Sequence, residues 1–278
     1  MSVVRARLLF ALTFATLLGG AAPALADSST SSNWSGYAVH HAHVTFRTVY
    51  ATWKQPSLSC TAGNPTYSAF WVGLGGFGLS SQALEQIGTE ADCTVSGRVK
   101  MSAWYELVPS PSRALSITVS AGDRLEARVT VTGHKVVLTL RNVTTGKSAV
   151  KTVHPSEIDV SSAEWIAEAP SECASITSCQ TLPLADFGSA GFSSAGAQAT
   201  GAAKSGLTDR RWTLTRITLE PSGPRFIGLQ GSGTPDGAAT PSPVTGNGTA
   251  FTITYTPVPA PAGPNVAADV ASAGHLFH

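Results

Sequence analysis

Ala83-Leu84-Glu85-Gln86-Ile87-Gly88-Thr89-Glu90 and Ala163-Glu164-Trp165-Ile166-Ala167-Glu168 are the two stretches whose reading decides the fold. Each reads as a β-strand, in which successive side chains point to opposite faces. In the first, Gln86, Gly88 and Glu90 share a face. In the second, Glu164, Ile166 and Glu168 share one, with Trp165 and Ala167 behind. An amide and several carboxylates on one face of a sheet can do acid–base work on a bound polymer. The same pattern also describes the solvated faces of two ordinary strands, and alternation alone does not separate the two readings.

Strand patterns continue on both sides of these stretches. Val44–Trp53, Ser68–Leu74, Arg98–Leu107, Leu115–Val119, Arg124–Thr132, Lys135–Asn142 and Ser148–Val153 precede the second stretch, and Ala185–Phe192, Trp212–Leu219 and Phe251–Tyr255 follow it. Turn signals at Ala121-Gly122-Asp123, Gly133-His134 and Thr144-Thr145-Gly146 separate several of them. Short strands at even spacing with little helical periodicity predict an all-β, antiparallel β-sandwich. Its expected extent is 33–256, after a short flexible segment at 27–32. The Gly/Pro/Ser/Thr-rich stretch 231–248 reads as a mobile loop, and 257–278 as a Pro/Ala-rich tail. His41 and His43 would share a strand face, but no third ligand stands nearby and a solvated edge is the plainer reading.

The composition bounds the class. Of 278 residues 42% are apolar and 13% charged, with a formal net charge of +1. That supports a sizeable core and shows no nucleic-acid footprint. Arg5 and Arg7, the apolar run Leu8–Leu18 and the small-x-small site Ala24-Leu25-Ala26 form a signal peptide over 1–26. The mature product is expected to be extracellular, without a membrane anchor, and a monomer. Four cysteines fit an oxidising compartment. Of the three possible pairings, Cys173–Cys179 closes a small loop and leaves Cys60–Cys93. Zinc is disfavoured, because no C-x-x-C occurs.

Several chemistries have no sequence support. No G-x-S-x-G occurs; the nearest stretch, Gly191-Phe192-Ser193-Ser194-Ala195, lacks the last glycine. There is no H-E-x-x-H, no Asp-Thr-Gly and no Asp-Ser-Gly. With the cysteines paired, hydrolytic chemistry rests mainly on carboxylates.

Several segments, taken together and in order, resemble the glutamic peptidase (eqolisin) family. They are Ser32-Asn33-Trp34-Ser35-Gly36, Phe70-Trp71-Val72-Gly73-Leu74, Gln86-Ile87-Gly88, Ala103-Trp104-Tyr105-Glu106, Ile117–Asp123, Asn142–Ser148, Ala163–Glu168 and Ala185-Asp186-Phe187-Gly188. The resemblance spans about residues 31–255 and implies a concanavalin- or lectin-like sandwich of two curved sheets with a substrate cleft on the concave face. It places the catalytic glutamine at Gln86 and the catalytic glutamate at Glu168, ahead of Glu164 on the same face. The implied activity is a secreted, acid-active endopeptidase acting on protein or peptide substrates, with no cofactor.

In that scheme Glu168 takes a proton from water and Gln86, which cannot ionise and always carries donors, stabilises the oxyanion. Trp71, Trp104 and Glu106 are expected to line the cleft, with Glu90 and Glu164 at the substrate or orienting the dyad. Three departures stand out: Gly75 where an acid usually follows the tryptophan strand, Glu90 in place of Asp, and no long propeptide between Ala26 and Asn33. A rival reading is a carbohydrate-active or carbohydrate-binding sandwich, since paired carboxylates flanked by tryptophans also build glycosidases. There Glu168 would pair with another acid and Gln86 would be incidental.

Overall fold

Eighteen strands are found among the described residues. They are β1 Asp27–Ser31, β2 Trp34–His40, β3 Phe46–Lys54, β4 Thr66–Leu74, β5 Leu84–Cys93, β6 Val99–Val108, β7 Arg113–Leu115, β8 Arg124–Thr132 and β9 Lys135–Asn142. The rest are β10 Lys147–Val153, β11 Ser162–Glu168, β12 Ser171–Ser175, β13 Ser178–Thr181, β14 Ser189–Ala199, β15 Thr213–Leu219, β16 Gly231–Ser232, β17 Gly237–Pro241 and β18 Phe251–Pro257. The structure, a computed structural model, describes residues 26–78, 81–175, 178–221, 231–232 and 237–258. The expected signal peptide, but for Ala26, and nearly all of the tail lie outside these residues.

One continuous hydrogen-bonded path runs β10-β9-β8-β3-β14-β18-β17-β15-β2-β11-β4-β5-β6-β7. It folds over at β17, so that β3, β8, β9 and β14 pack face to face on β4, β5 and β11. The expected sandwich is therefore present, its two layers joined along one side; β12, β13 and β16 form a separate small sheet.

The core between the layers follows from alternation. β8 buries Leu125, Ala127, Val129 and Val131 and turns the residues between them outward. Facing them, β2 contributes Tyr37 and Val39, β4 Phe70, Val72 and Leu74, and β11 Ala163, Trp165 and Ala167. Each fully buried large apolar side chain contributes roughly 1.5–3 kcal/mol. Trp165, with no exposed surface, also satisfies its indole N–H on Tyr50 O across the interlayer gap at 2.9 Å. β2 and β11 are buried on both faces, and the opposite face of their layer carries a second apolar cluster of Trp34, Ala38, Ala69, Trp71, Leu84, Trp104, Ile166 and Ile217.

Four local expectations change. Residues 27–31, expected to be loose, form β1, which runs parallel to β15 from Asp27 opposite Thr215 to Ser31 opposite Leu219. Its Ser/Thr composition hid a strand held by backbone bonds to an otherwise unpaired edge. His41 and His43 share no strand face: β2 ends at His40, and His43 sits in a turn at φ 64°. Within 231–248, Gly237–Pro241 is a strand that inserts between β18 and β15, with Gly237, Ala239 and Pro241 buried. The segment after Leu115 leaves the sheet, although Ile117 and Val119 still point into the core. Asn142, which opens an N-x-T sequon, is fully buried and donates to Asp123 Oδ2 at 2.7 Å, so the folded chain does not present it for modification.

Candidate active site

Strand register assembles the site in three rows across β2, β11, β4, β5 and β6. The first row is Trp34, Glu168, Ala69, Glu90, Ser102; the second is Gly36, Ile166, Trp71, Gly88, Trp104; the third is Ala38, Glu164, Gly73, Gln86, Glu106. All the site residues expected from the sequence therefore lie on one face, and Trp165, Ala167 and Tyr105 point away from it into the core.

Trp71, expected to line the cleft, is instead fully buried at the centre of the face, where glycines make room for it. A Cβ on Gly88 would lie 2.3 Å from Phe70 O and 2.6 Å from Trp71 Cβ. A Cβ on Gly73 would lie 3.0 Å from Trp71 Cζ3 and 3.3 Å from Gln86 Cβ. The indole thus covers Gly73 beside Gln86, while its Nε1 donates to Glu168 Oε2 at 2.7 Å. Trp34 meets Trp71 edge-on at 4.9 Å between ring centroids. Asn33 Nδ2 donates to the other carboxylate oxygen, Glu168 Oε1, at 3.3 Å. Both oxygens of Glu168 therefore accept from neutral N–H groups.

On the far side, Gln86 Nε2 donates to Glu106 Oε2 at 2.6 Å. Burial pushes Glu106 up to about 7, and the nearby charge of Glu168 adds to that, while the bond from Gln86 opposes it. Gln86 is 4% exposed, and its Oε1 has no hydrogen-bond partner among the described residues. Glu90 accepts from Ser102 Oγ at 2.5 Å and remains partly exposed.

Glu164 departs from expectation. It has no exposed surface, so a substrate contact is closed to it. Burial holds its carboxyl well above the usual range, the nearby Ser162 hydroxyl opposes this, and Asp159 and Glu85 add to it; neither oxygen has a partner in normal hydrogen-bond geometry among the described residues. Glu85 is fully enclosed as well and is pushed up to about 8, chiefly by burial. Asp159 N donates to Glu85 Oε1 at 3.3 Å, and Asp159 Oδ2 accepts from Ser81 Oγ at 2.5 Å. This cluster also gives a reason for Gly75. A Cβ there, at φ +83°, would lie 2.5 Å from Asp159 Cβ, so an aspartate from a distant part of the chain fills that space.

Sequence reading missed Asn33, Ser31, Glu85 and Asp159. Asn33 lay inside a quoted motif, but nothing local indicated that its amide reaches a carboxylate 135 residues away. Glu85 alternates with Gln86 and so falls on the other face of its strand, and Asp159 lies in a loop without a pattern.

Of the four cysteines, Cys60 and Cys93 are bonded. Cys173 lies directly opposite Cys179 in the antiparallel β12–β13 register, and their side chains fall outside the described residues.

Comparisons with known proteins bear on the family and the fold. The model of the peptidase A4 family matches residues 32–225. The chain is similar to scytalido-glutamic peptidase, in a crystal structure with a transition state analog inhibitor, at 27% identity and a TM-score of 0.64; the match covers 81% of this chain and 98% of that one. It is similar at 25% identity to SCP-B, a member of the eqolisin family in a complex with the tripeptide Ala-Ile-His, with a TM-score of 0.61 over 81% of this chain and 98% of that one. The aspergilloglutamic peptidase of Aspergillus niger is 28% identical over 69% of this chain and 99% of that one, with a TM-score of 0.54. No curated protein matches.

Proposed function

The chain belongs to the peptidase A4 family and is a glutamic endopeptidase, and from that premise we propose that Gln86 and Glu168 form its catalytic dyad. The observation that carries this assignment is the grip on Glu168: Trp71 Nε1 and Asn33 Nδ2 each hold one carboxylate oxygen. N–H donors favour the ionised form, which is the state a general base needs. Glu164, its rival on the same strand, is enclosed and held toward its neutral form by burial.

The reaction follows from these states. A peptide lies across the face of β4, β5 and β11 that carries Gln86 and Glu168. Glu168 removes a proton from water as the water oxygen bonds to the scissile carbonyl carbon. The carbonyl oxygen becomes an oxyanion and accepts from Gln86 Nε2. That nitrogen carries two hydrogens, and the bond to Glu106 uses one of them. The tetrahedral intermediate collapses, the C–N bond breaks, and protonated Glu168 returns its proton to the leaving amine. Trp104 and Glu106 border the peptide, and Glu90 stands in the row of Glu168, two strands away.

Acid activity fits the same site, since Glu106 changes charge near pH 7. Secretion fits the start of β1 at Asp27, directly after the expected cleavage site, and the Cys60–Cys93 disulfide.

Digestion of denatured casein and of a xylan by wild type, Glu168→Gln, Gln86→Ala and Glu164→Gln tests the assignment. Wild type is expected to release peptides from casein and nothing from the xylan, with near-background turnover on casein for Glu168→Gln and a loss of about 100- to 1,000-fold for Gln86→Ala. Glu164→Gln should retain more activity than Glu168→Gln. Full activity in a folded Glu168→Gln protein would sink the dyad.

A further inference from the structure

We infer that Asn33, locked by Ser31, is a positioning residue for the general base, and that the docking of β1 sets its place. The inference rests on Glu168 being that base.

Ser31 Oγ accepts from two backbone N–H groups, Asn33 at 3.2 Å and Trp34 at 3.0 Å. A hydroxyl has one hydrogen to give, and Ser31 gives it to Asn33 Oδ1 at 2.9 Å. That bond fixes which end of the amide is oxygen. The opposite end, Nδ2, therefore faces Glu168 Oε1 and can only donate. An amide held this way supports a carboxylate and has no acceptor to offer the proton of a carboxylic acid at that oxygen.

The lock is enclosed, with Ser31 at 0% and Asn33 at 4% exposure, so water does not compete for these bonds. It is also tied to the backbone beside Glu168, because Ala169 N donates to Asn33 O at 2.8 Å. Ser31 ends β1, and its carbonyl accepts from Glu220 N at 2.8 Å just past β15. The parallel pairing of β1 with β15 thus carries the serine that orients the amide that holds the carboxylate.

The test is the pH profile of kcat/KM for peptide cleavage, with kcat and KM resolved separately, for wild type, Asn33→Ala, Asn33→Asp, Ser31→Ala and Glu168→Gln. Asn33→Asp keeps the shape but turns a donor into an acceptor facing Glu168, so its acid limb should move up by about one pH unit or more. Asn33→Ala should move it the same way by less, and lower kcat about tenfold with KM within about twofold. Ser31→Ala frees the amide to turn and should give a smaller shift of the same sign, which decides the matter if the Asn33 variants fail to fold. Folded variants that lose melting temperature or activity with an unmoved acid limb overturn the positioning role and leave the dyad intact. An active Glu168→Gln protein overturns both.

Discussion

Trp71 Nε1 donates to Glu168 Oε2 across 2.7 Å, from an indole whose far edge covers Gly73 beside Gln86. One buried ring therefore holds one half of the proposed dyad and borders the space above Gly73 that the other half also borders. Trp71→Phe keeps most of the apolar bulk and deletes the donor. A hydrogen bond to a charged group contributes about 1.5–3 kcal/mol, so kcat/KM should fall about 10- to 100-fold, with the acid limb of the profile moving to higher pH. Steady-state kinetics on a variant with wild-type near-ultraviolet dichroism checks this, and an unmoved profile would assign the indole to packing alone.

Glu106 is expected to set the alkaline limb. Its carboxyl is pushed up to about 7, so it is neutral in acid and ionised above that value. Ionisation strengthens its hold on Gln86 Nε2 and places a negative charge beside the developing oxyanion. Activity should therefore decline as pH rises through about 7. Glu106→Gln still offers an oxygen to Gln86 but cannot ionise, so the decline should flatten. A profile whose alkaline limb is the same in this variant would contradict the assignment.

Stability should fall from acid to neutral pH. The folded pKa of Glu85, about 8, lies above its ordinary value of 4.5, and Glu164 is raised as well. A raised folded value means that the folded state binds more protons than the unfolded one. The stabilisation is complete below about pH 4.5 and is lost as pH climbs through the folded value. Within that window each such group contributes a slope of up to about 1.4 kcal/mol per pH unit. Melting temperature should drop steadily between pH 4.5 and 8, and Glu85→Gln should reduce the drop. A melting temperature that rises over this range would contradict it.

The Cys60–Cys93 bond spans a sequence separation of 33 residues. Loop-closure entropy for such a span gives about 3–4 kcal/mol, so Cys60→Ser with Cys93→Ser should lower the denaturation midpoint accordingly. A non-reduced peptide map should also show Cys173 joined to Cys179, because directly opposed antiparallel residues lie within disulfide range. Free thiols at those two positions in the oxidised protein would remove that second bond.

The face of each site strand was legible because period-two alternation is a local property. Trp104 and Glu106 on one side with Tyr105 on the other follow from spacing alone, and so do Glu164, Ile166 and Glu168 against Trp165. Depth was not legible. Glu164 and Glu168 share a face, yet one is sealed and the other is held by donors, and that difference comes from neighbours far along the chain. β1 escaped notice because its pairing uses the backbone and its side chains are mostly outward Ser and Thr. The cluster of Glu85, Asp159 and Glu164 escaped because a buried acid has no sequence signature.

The position of β2 has a consequence for biosynthesis. β2 lies near the start of the chain, yet its two neighbours are β11 and β15, which pair with it through residues 162–168 and 213–217. Pairings between such distant segments close late, since the intervening chain must first be available and then ordered. Until β11 has been made, Asn33 and Trp34 have no strand to dock on, since Trp34 pairs with Glu168 and Asn33 O accepts from Ala169 N. β1, whose Ser31 orients the Asn33 amide, gains its partner later still, when β15 has emerged.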